Sequence, residues 1–487
     1  MRRIAACLLA IVLLMSFAMP FASAENVSAG EKLSDKISLK SGLYTYRLLE
    51  DGTAEIIGYN ANGNDANLKI PSELDGIKVT SIGASSFSAN IYLMELTIPE
   101  GITNLGDYAF QRCSNLTEVI LPNSLKDVGL NPFEGCEALS EIQVESGHPY
   151  LVVSKDGVFF SKIDHRLIYY PMLKDRGVYV IPNGTRIIGA SAFYECDNLV
   201  GLTIPDTVTA IGKRAFYQCS SLSSITLPPA VSTIGADAFN GCRQLKKITF
   251  PDSVTSIGLN AFRDCTALTE LVLPGNITDI GDGAFYNCSS MTSIHLPNGI
   301  STIGKNTFSG CKELTEITLP EGLTTIGAGA FYGCENLTKM DLPQSVAYIG
   351  SNAFDSCYNM ADITISDKCG YIGSYAFNRC WALKSIKLPS YLYSLNAYLF
   401  SGCQSLTEVL LPEELEEIGE YAFMACGALQ SIVIPDTVET IGNHAFEHCV
   451  ELSSVVLPED LETIGPDTFS DCPRLTDLPD LSDMIEE

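Results

Sequence analysis

The sequence predicts an α/β repeat solenoid, in which one short structural unit is stacked many times along a single axis. Phenylalanines mark sixteen copies of the unit from Phe87 to Phe469, and neighbouring copies are 23 residues apart except across one gap of 60. Cysteine follows the phenylalanine by three residues in fifteen copies, and leucine or methionine follows it by six in all sixteen. Such recurrence in fixed register is the signature of a solenoid. Because one coil cannot bury its own apolar side, the coils must stack on one another.

A representative unit predicts a strand, a corner and a helical turn. The run that ends at Leu342 alternates apolar and polar residues as a short strand does, and Pro343 ends it because proline donates no backbone hydrogen bond. Gly327, after an isoleucine, predicts a tight corner that needs a positive φ or a close backbone approach. Apolar residues from Ala330 to Cys334 fall about three apart, which predicts one turn of 3₁₀ or α-helix facing the core.

Residues 1–24 predict a secretory signal peptide that is cleaved after Ala24. Arg2 and Arg3 precede an apolar run from Ile4 to Met19, and small residues stand before the cleavage site. No later stretch approaches the ~20 apolar residues of a membrane span. We therefore expect a secreted or cell-surface protein without membrane insertion.

Residues 25–75 predict an N-terminal β-hairpin cap. The segment from Tyr44 to Tyr59 alternates around Asp51-Gly52, and Asp-Gly between alternating runs is a strong hairpin signal. A terminal coil needs such a cap because its outer face would otherwise contact water. Leucine-bearing repeats then occupy residues 76–144.

Residues 145–181 predict a β-hairpin insertion within the array. A second Asp-Gly pair, Asp156-Gly157, lies between the apolar runs from Leu151 to Ser161, and LIYYP at 167–171 predicts one more strand. The repeats resume over residues 182–478. Residues 479–487 form an acidic C-terminal tail.

The composition excludes two classes of partner. Hydrophobic residues make up 46% and charged residues 18% of the chain, as in a folded protein rather than a disordered one. Removal of Arg2 and Arg3 with the signal peptide takes the formal charge from −28 to −30. Such an acidic surface repels nucleic acids and anionic membranes, so we expect neither as a partner.

The cysteines predict a column of free thiols. After the signal peptide is removed, fifteen of the remaining sixteen cysteines share one repeat position. Side chains stacked in parallel at ~5 Å do not meet the ~3.8 Å Cβ separation of a disulfide. We therefore expect buried thiols that act as small apolar residues. Cys369 stands where other copies carry Val, Ile or Leu, and we also expect it in the core.

Several segments together resemble one family. The unit IGxxAFxxCxxLxxIxLP, the entry IPSELDGIKVTSIG, the hairpin YRLLEDGTAEIIGYN and the inserted SKDGVFFSK and LIYYP are similar to BspA-type leucine-rich repeat proteins, exported surface proteins of bacteria and some mucosal protists. The resemblance covers nearly the whole mature chain, although the C-terminal anchoring or Ig-like modules of many relatives are lacking. It implies a leucine-rich-repeat solenoid with a parallel β-sheet on one face, a role in adhesion and no catalytic residue. We predict a right-handed coil with short helical turns on the other face.

One motif matches the pattern of a catalytic metal site. The segment from His444 to His448 matches the HxxEH pattern of zinc peptidases, in which two histidines on a helix bind the metal. Here Ala445 and Phe446 are core residues of the repeat, and the unit offers only one helical turn. We therefore predict two exposed histidines, no metal ligand, no cofactor and no catalytic residue. The other histidines lie in different coils and form no recognisable triad.

The outward-facing strand positions predict two columns of like side chains on the sheet. Glutamates recur eight residues after the phenylalanine, among serines and lysines, and threonines recur ten residues after it. Threonine suits a solvated parallel sheet for structural reasons alone. A binding face is the alternative, since solenoids bind partners on their long surfaces.

The best candidates for partner binding are aromatic. Residues 348–421 hold eight of the 21 tyrosines and the only tryptophan. Tyr375, Tyr398 and Tyr421 share one repeat position, and Tyr358 and Trp381 share another. Stacked aromatics outside the core predict an exposed ladder suited to proteins or sugar rings. The alternative is drift of the repeat, in which aromatics fill gaps left by lost consensus residues.

We predict an exported, non-enzymatic protein that mediates surface adhesion or protein–protein interaction through the long solenoid face. Its expected partners are host or bacterial surface proteins, with glycans as a further option. A carbohydrate-binding accessory protein, a structural envelope component and a hydrolase are the alternatives. The sequence carries no signal for the oligomeric state.

Overall fold

The computed structural model describes residues 38–63, 65–174 and 177–477, and it confirms a solenoid of stacked coils. The predicted signal peptide and the predicted acidic tail lie outside the described residues. Within those residues all regular elements are β-strands, and there is no helix of the length and apolarity that a membrane crossing requires.

One side of the solenoid, called face A, is a row of parallel strands, one after each leucine, that pair in six successive sheets. Adjacent strands keep the 23-residue register, as where Ser293 pairs with Glu316. The strands of face A are Asn67–Lys69, Glu95–Thr97, Glu118–Ile120, Glu141–Gln143, Gly177–Val180, Leu199–Thr203, Ser224–Thr226, Lys247–Thr249, Glu270–Leu271, Ser293–His295, Glu316–Thr318, Lys339–Asp341, Asp362–Thr364, Ser385–Lys387, Glu408–Leu410, Ser431–Val433 and Ser454–Val456.

A second row of parallel strands, called face B, is formed mostly by the two residues before each corner glycine and pairs in four successive sheets. Its register is the same, as where Thr325 pairs with Tyr348. The strands of face B are Ile77–Ile82, Asn104–Leu105, Asp127–Val128, Arg166–Tyr169, Ile187–Ile188, Ala210–Ile211, Thr233–Ile234, Ser256–Ile257, Asp279–Ile280, Thr302–Ile303, Thr325–Ile326, Tyr348–Ile349, Tyr371–Ile372, Ser394–Leu395, Glu417–Ile418, Thr440–Ile441 and Thr463–Ile464.

The predicted helical turns are wrong, because the described residues contain no helix. The segment between the corner glycine and the cysteine is a series of tight turns, called the turn stack. It holds two left-handed residues per coil, such as Gly329 at φ 61° and Gly333 at φ 66°. The first of these positions is left-handed in fifteen of sixteen coils and the second in all sixteen. Left-handed residues this close together interrupt any right-handed helix.

Hydrogen bonding between coils explains why turns replace the helix. The Phe331 N–H donates to the Ala353 carbonyl of the next coil at 2.8 Å, whereas the Ala330 N–H donates to the Gly327 carbonyl of its own coil at 3.2 Å. N–H groups alternate in this way along the turn stack. An α-helix would direct every N–H to its own coil and leave the neighbouring coil without partners.

The corner glycine is required by a close approach rather than by its conformation. The φ of Gly327 is outside the left-handed range, but a Cβ at this position would lie 2.7 Å from the carbonyl carbon of Gly304 and 2.8 Å from the amide nitrogen of Lys305. Backbones of successive coils therefore touch at this corner, and only glycine leaves room for them.

The core is a continuous stack of like residues. Phenylalanine rings are stacked in every neighbouring pair from Phe193 to Phe469, as between Phe331 and Phe354 at 5.3 Å and 5°. Isolated aromatic pairs also prefer offset stacking with centroids ~4.5–7 Å apart. The ring separation set by the strand spacing of ~4.8 Å is therefore compatible with the ring preference.

The cysteines are free and buried, as predicted, and they also donate hydrogen bonds. The Cys334 Sγ–H donates to the carbonyl of Phe308, in the preceding coil, at 3.2 Å, and fourteen coils repeat this bond. The column therefore links coils through polar contacts as well as packing. Burial raises the pKa of the thiols in the central coils, that of Cys311 to about 12, which keeps these thiols protonated and unreactive. Cys369 is buried as well.

A hairpin closes the N-terminal end of the stack. Strands Tyr44–Leu48 and Ala54–Tyr59 pair antiparallel, Leu39–Ser41 adds a further antiparallel strand, and Ala54–Tyr59 pairs parallel with Ile77–Ile82. Strand Glu73–Leu74 pairs with the start of Ile77–Ile82. The Tyr59 ring stacks on Phe87 at 5.0 Å, so the cap covers the first ring of the phenylalanine column.

The insertion separates the core into two clusters. Strands Leu151–Val153 and Phe159–Ser161 form an antiparallel hairpin, and Arg166–Tyr169 pairs with the second of them. Tyr169 packs against Phe133 on one side of the insertion, while Tyr170 packs against Phe193 on the other. Adjacent tyrosines thus take the place of the missing phenylalanine in the column.

Replacement of Gly327 by alanine is expected to lower the free energy of unfolding by roughly 1–3 kcal/mol, because the methyl group would overlap backbone of the preceding coil. Urea unfolding of the variant, followed by circular dichroism, measures this loss. Gly322→Ala is the matched control, since nothing lies within 4 Å of a Cβ there. Equal effects of the two substitutions would contradict the close approach of the coils.

Candidate functional site

Three of the predicted aromatic residues form one stack, called the tyrosine ladder. Tyr375 and Tyr398 have ring centroids 4.4 Å apart at 8°, and Tyr398 and Tyr421 have centroids 4.5 Å apart at 13°. Each side chain is half-buried, so the ladder shows ring edges to solvent rather than fully exposed rings. The tyrosines occupy the first left-handed position of the turn stack, two residues after the corner.

His444 extends the tyrosine ladder by one more ring. Its imidazole stacks on Tyr421 with centroids 4.7 Å apart and planes at 9°. Sequence reasoning placed His444 in a zinc motif and missed this role. The signal was available, because His444 follows Tyr421 by 23 residues.

The backbone under the ladder is unusual for bulky residues. Tyr375, Tyr398, Tyr421 and His444 have φ between 56° and 61°, where most other coils use Gly, Asn, Asp or Ser. The left-handed conformation costs such residues roughly 1–2 kcal/mol each. Stacking recovers about 0.5–1.5 kcal/mol per pair. Three stacked pairs recover only part of the cost of four left-handed residues, so local stability does not explain why tyrosine recurs at this position.

The lost consensus residues nearby are compensated by their own polar groups. Ser366, which replaces the strand-ending proline, is buried and donates its Oγ–H to the Gln344 carbonyl at 2.8 Å. Asn396, which replaces the corner glycine, donates from Nδ2 to the Ile372 carbonyl at 2.6 Å. Both substituting side chains are therefore anchored to the backbone of the preceding coil.

The other two predicted aromatics form a separate stack. Tyr358 and Trp381 have ring centroids 4.0 Å apart at 20°, and 42% of the Trp381 surface is exposed. Tyr358 borders a shallow cavity of about 260 Å³ that Lys312, Glu335 and Arg379 also line. Among the described residues, no ring contact joins this pair to the tyrosine ladder.

A third aromatic pair was missed from the sequence. Tyr348 and Tyr371 pair across face B with centroids 5.0 Å apart at 8°, and both are exposed. They lie 23 residues apart, so the repeat register alone could have identified them.

Face A carries the predicted columns and one that was not predicted. Glu95, Glu118 and Glu141 pair on successive strands, and Thr226 pairs with Thr249. Near the C-terminal end, the threonine position is instead held by an apolar column: Leu410, Val433 and Val456, with exposed fractions of 52–67%. Apolar side chains exposed in consecutive coils form a contiguous patch, which is a feature of interaction surfaces.

The coils around the apolar column are strongly acidic. Residues 401–477 contain sixteen Asp and Glu but a single basic residue, Arg474. Among the described residues of this stretch, Arg474 and Glu451 form the one ion pair that involves lysine or arginine. Glu416, Glu439 and Glu462 share one repeat position, so like charges also form a column. The apolar column therefore lies in a region of negative potential.

The HxxEH motif does not form the predicted peptidase geometry. His444 and His448 lie in tight turns at φ 56° and 59°, not on a helix, and the Glu447 carboxylate lies between the two imidazoles. The prediction of two exposed histidines holds for His448 alone, since His444 is half-buried.

His148 is a structural histidine. It is buried, its Nε2 is 3.0 Å from the Pro122 carbonyl, and its Nδ1 accepts a hydrogen bond from the Leu151 N–H at 3.1 Å. Both ring nitrogens are therefore engaged in holding the start of the insertion.

Comparisons with known proteins agree with the repeat architecture. A family model described as a BspA type leucine rich repeat region, in six copies, matches residues 57–164, 186–291, 278–403 and 370–485. No curated protein sequence gives a significant match.

Solved structures of bacterial proteins are also similar. A leucine rich cell surface protein from Faecalibacterium prausnitzii is 26% identical, with 86% of this chain and 94% of that chain covered and a TM-score of 0.39. A leucine-rich repeat protein from Bacteroides ovatus is 27% identical, with coverages of 90% and 93% and a TM-score of 0.37.

The tyrosine ladder is expected to lose stability at high pH. Desolvation in the stack, reinforced by the charges of Tyr375 and Tyr421, raises the pKa of Tyr398 to about 12. The neutral phenol is thus favoured in the folded chain, so its contribution is complete below the unfolded pKa of ~10 and is lost as pH rises towards 12. Unfolding midpoints in urea between pH 9 and 12 should fall less steeply in Tyr398→Phe than in the unmodified chain.

Tyr391→Phe provides the control for this titration, because Tyr391 is 66% exposed and stands outside the ladder. An identical pH dependence of the Tyr398→Phe and Tyr391→Phe variants would contradict the desolvated stack.

Proposed function

Because the chain belongs to the BspA-type leucine-rich repeat family, we propose that it is an exported, non-enzymatic protein that binds host or bacterial surface proteins. The observation that carries this proposal is the exposed apolar column of Leu410, Val433 and Val456 within acidic coils. A solvated sheet has no structural need for these side chains, since threonine occupies the same position in other coils. An apolar centre with a charged surround is the common composition of a protein interface.

The solenoid gives such a surface a rigid frame. Contacts between coils fix each side chain at the strand spacing, so little conformational entropy is lost when a partner binds. Each coil offers a small patch, and successive patches can be engaged together. Many weak contacts then sum to a useful affinity.

The chemistry of the columns favours a protein partner over a glycan. A sugar ring packs on the open face of an aromatic ring, whereas the rings of Tyr398 and Tyr421 are covered on both faces by their neighbours in the ladder. Their phenolic edges remain for hydrogen bonds with protein groups. The excess of carboxylates favours a partner with a basic surface, through faster encounter as well as complementarity.

The proposal of a non-enzymatic role is supported by the surroundings of the cysteines and of His148. The cysteine thiols are buried, and His148 is engaged by backbone groups on both nitrogens. Export is supported by the signal-peptide pattern of residues 1–24 and by family membership.

Substitution of Leu410, Val433 and Val456 together by threonine is expected to weaken partner binding by about tenfold or more. The reason is that the loss of about 1.4 kcal/mol of binding free energy from buried apolar surface lowers the affinity tenfold. Threonine is the usual residue at this position, so the fold should be unaffected. Untagged mature chain, residues 25–487, would be tested against immobilised matrix proteins, basic surface proteins and a glycan array in one assay.

Val272→Thr is the matched control, because Val272 is 84% exposed but has no apolar neighbour in its column. If the triple variant retains every interaction of the unmodified chain, the apolar column is not the binding site. Retention by glycans alone would favour the carbohydrate-binding alternative.

Replacement of Tyr375, Trp381 and Tyr398 by serine tests the aromatic candidates separately. We expect a loss of affinity of at least about tenfold if the partner extends over the tyrosine ladder, since aromatic residues dominate interface energetics. Affinity measured by surface plasmon resonance for the partner found above provides the readout. Unchanged affinity would remove these residues from the site and leave the apolar column in place.

A further inference from the structure

The two C-terminal coils bring together side chains that ligate metals, although the sequence assigned no metal site. Glu447, His448 and Asp471 each offer one ligand atom, and these three atoms lie within 4.8 Å of one another. The His448 Nδ1 is 3.1 Å from Asp471 Oδ2, and its Nε2 is 3.9 Å from Glu447 Oε1.

The register of the solenoid creates this cluster. His448 and Asp471 occupy the second left-handed position of consecutive coils, with φ of 59° and 54°. The His448 N–H donates to the Ser470 carbonyl at 2.9 Å, which fixes the spacing of the two coils at this point. The backbone positions of His448 and Asp471 are therefore fixed relative to each other by a hydrogen bond between the two coils.

His444 approaches Glu447 from its other side. The His444 Nδ1 lies 3.2 Å from Glu447 Oε2, is shielded from water and makes no hydrogen bond in this arrangement. Its ring is also held by stacking on Tyr421. Groups in this outer position orient metal-binding carboxylates in known sites.

We propose that Glu447, His448 and Asp471 bind one divalent transition-metal ion, represented by Zn²⁺, and that His444 positions Glu447. One imidazole nitrogen with two carboxylate oxygens is a donor set that Zn²⁺ and similar ions accept. One ion binds one imidazole nitrogen, so an ion on Nδ1 beside Asp471 would require the Glu447 carboxylate to turn from Nε2 towards it. Metal–ligand bonds of ~2.0–2.2 Å place tetrahedral donors about 3.4 Å apart, and the three ligand atoms already lie within 4.8 Å of one another.

The surroundings suit a cation. His448 and Asp471 line an open cavity of about 540 Å³, which gives an ion a path to the ligands. The nearby Cys472 is engaged, because its Sγ–H donates to the Phe446 carbonyl at 3.1 Å. The one basic side chain of these coils, Arg474, pairs with Glu451 and not with the cluster. Two uncompensated carboxylates therefore face the site.

The proposed site differs from the zinc-peptidase motif in the same segment. Glu447 is a ligand here and not a general base, and the third ligand comes from the following coil. Three protein ligands leave positions for water, as in open zinc sites. The proposal concerns metal binding and is independent of the partner site on face A.

The test is metal titration of the mature chain, untagged and treated with EDTA, followed by calorimetry with Zn²⁺ and by absorption with Co²⁺. We expect one ion per chain and weak visible Co²⁺ bands without the thiolate charge-transfer absorption of cysteine ligation. His448→Ala and Asp471→Asn should weaken binding by about 100-fold or more, and His444→Ala by about 10–100-fold. His295→Ala, an exposed histidine on face A, should bind as the unmodified chain does.

The thermal unfolding midpoint of each variant without metal shows whether the variant is folded. Asp471→Asn keeps the shape of the side chain and therefore still tests the site if His448→Ala fails to fold. No stoichiometric binding by the unmodified chain would overturn the proposal. So would full binding by Asp471→Asn and His448→Ala, or thiolate absorption with Co²⁺. In each of those outcomes, the cluster is an ordinary set of ion pairs.

Discussion

Hydrogen bonding from coil to coil is the constraint on which the rest of the structure depends. Alternate N–H groups of the turn stack donate to the neighbouring coil, and along most of the array the strands of one or both faces do so as well, so each 23-residue coil must follow the path of the next one. The corner glycine is needed because those backbones touch, and two left-handed residues are needed to aim successive N–H groups along the axis. The thiol of each repeat then donates to a carbonyl of the preceding coil, where alanine would leave that acceptor with one partner fewer.

The same constraint decides what the surface can present. When every coil has the same path, any side chain at a given repeat position meets its own equivalent at about the strand spacing. Tyrosines become a ladder, exposed valines become a continuous apolar column, and carboxylates become lines of negative charge. The cluster of His448 and Asp471 is the same effect between two different residue types. Surface properties of such a molecule therefore belong to columns of equivalent residues, and a single substitution changes only one residue of a column.

Much of this follows from the sequence, and the failures have physical causes. The period, the stacking and the free thiols can be predicted because they depend only on spacing. The helical turn was wrong because apolar residues three apart are compatible with a helical turn and with successive tight turns. Gly, Asn and Asp at the two left-handed positions, such as Asn352 and Gly333, were the signal that distinguishes these structures. The apolar column and Asp471 do not follow from the commonest residue of each position, because they are exceptions to it in adjacent coils.

The most direct test of the central claim is hydrogen–deuterium exchange of the mature chain at single-residue resolution. The account requires the phenylalanine amides of central coils, such as Phe331, to exchange as slowly as the amides of face A, because both donate to a neighbouring coil. Protection of the phenylalanine amides should continue without a break from Phe193 to Phe446, since each of them donates to the next coil. Fast exchange of these amides beside protected strands of face A would contradict a turn stack that bonds coil to coil.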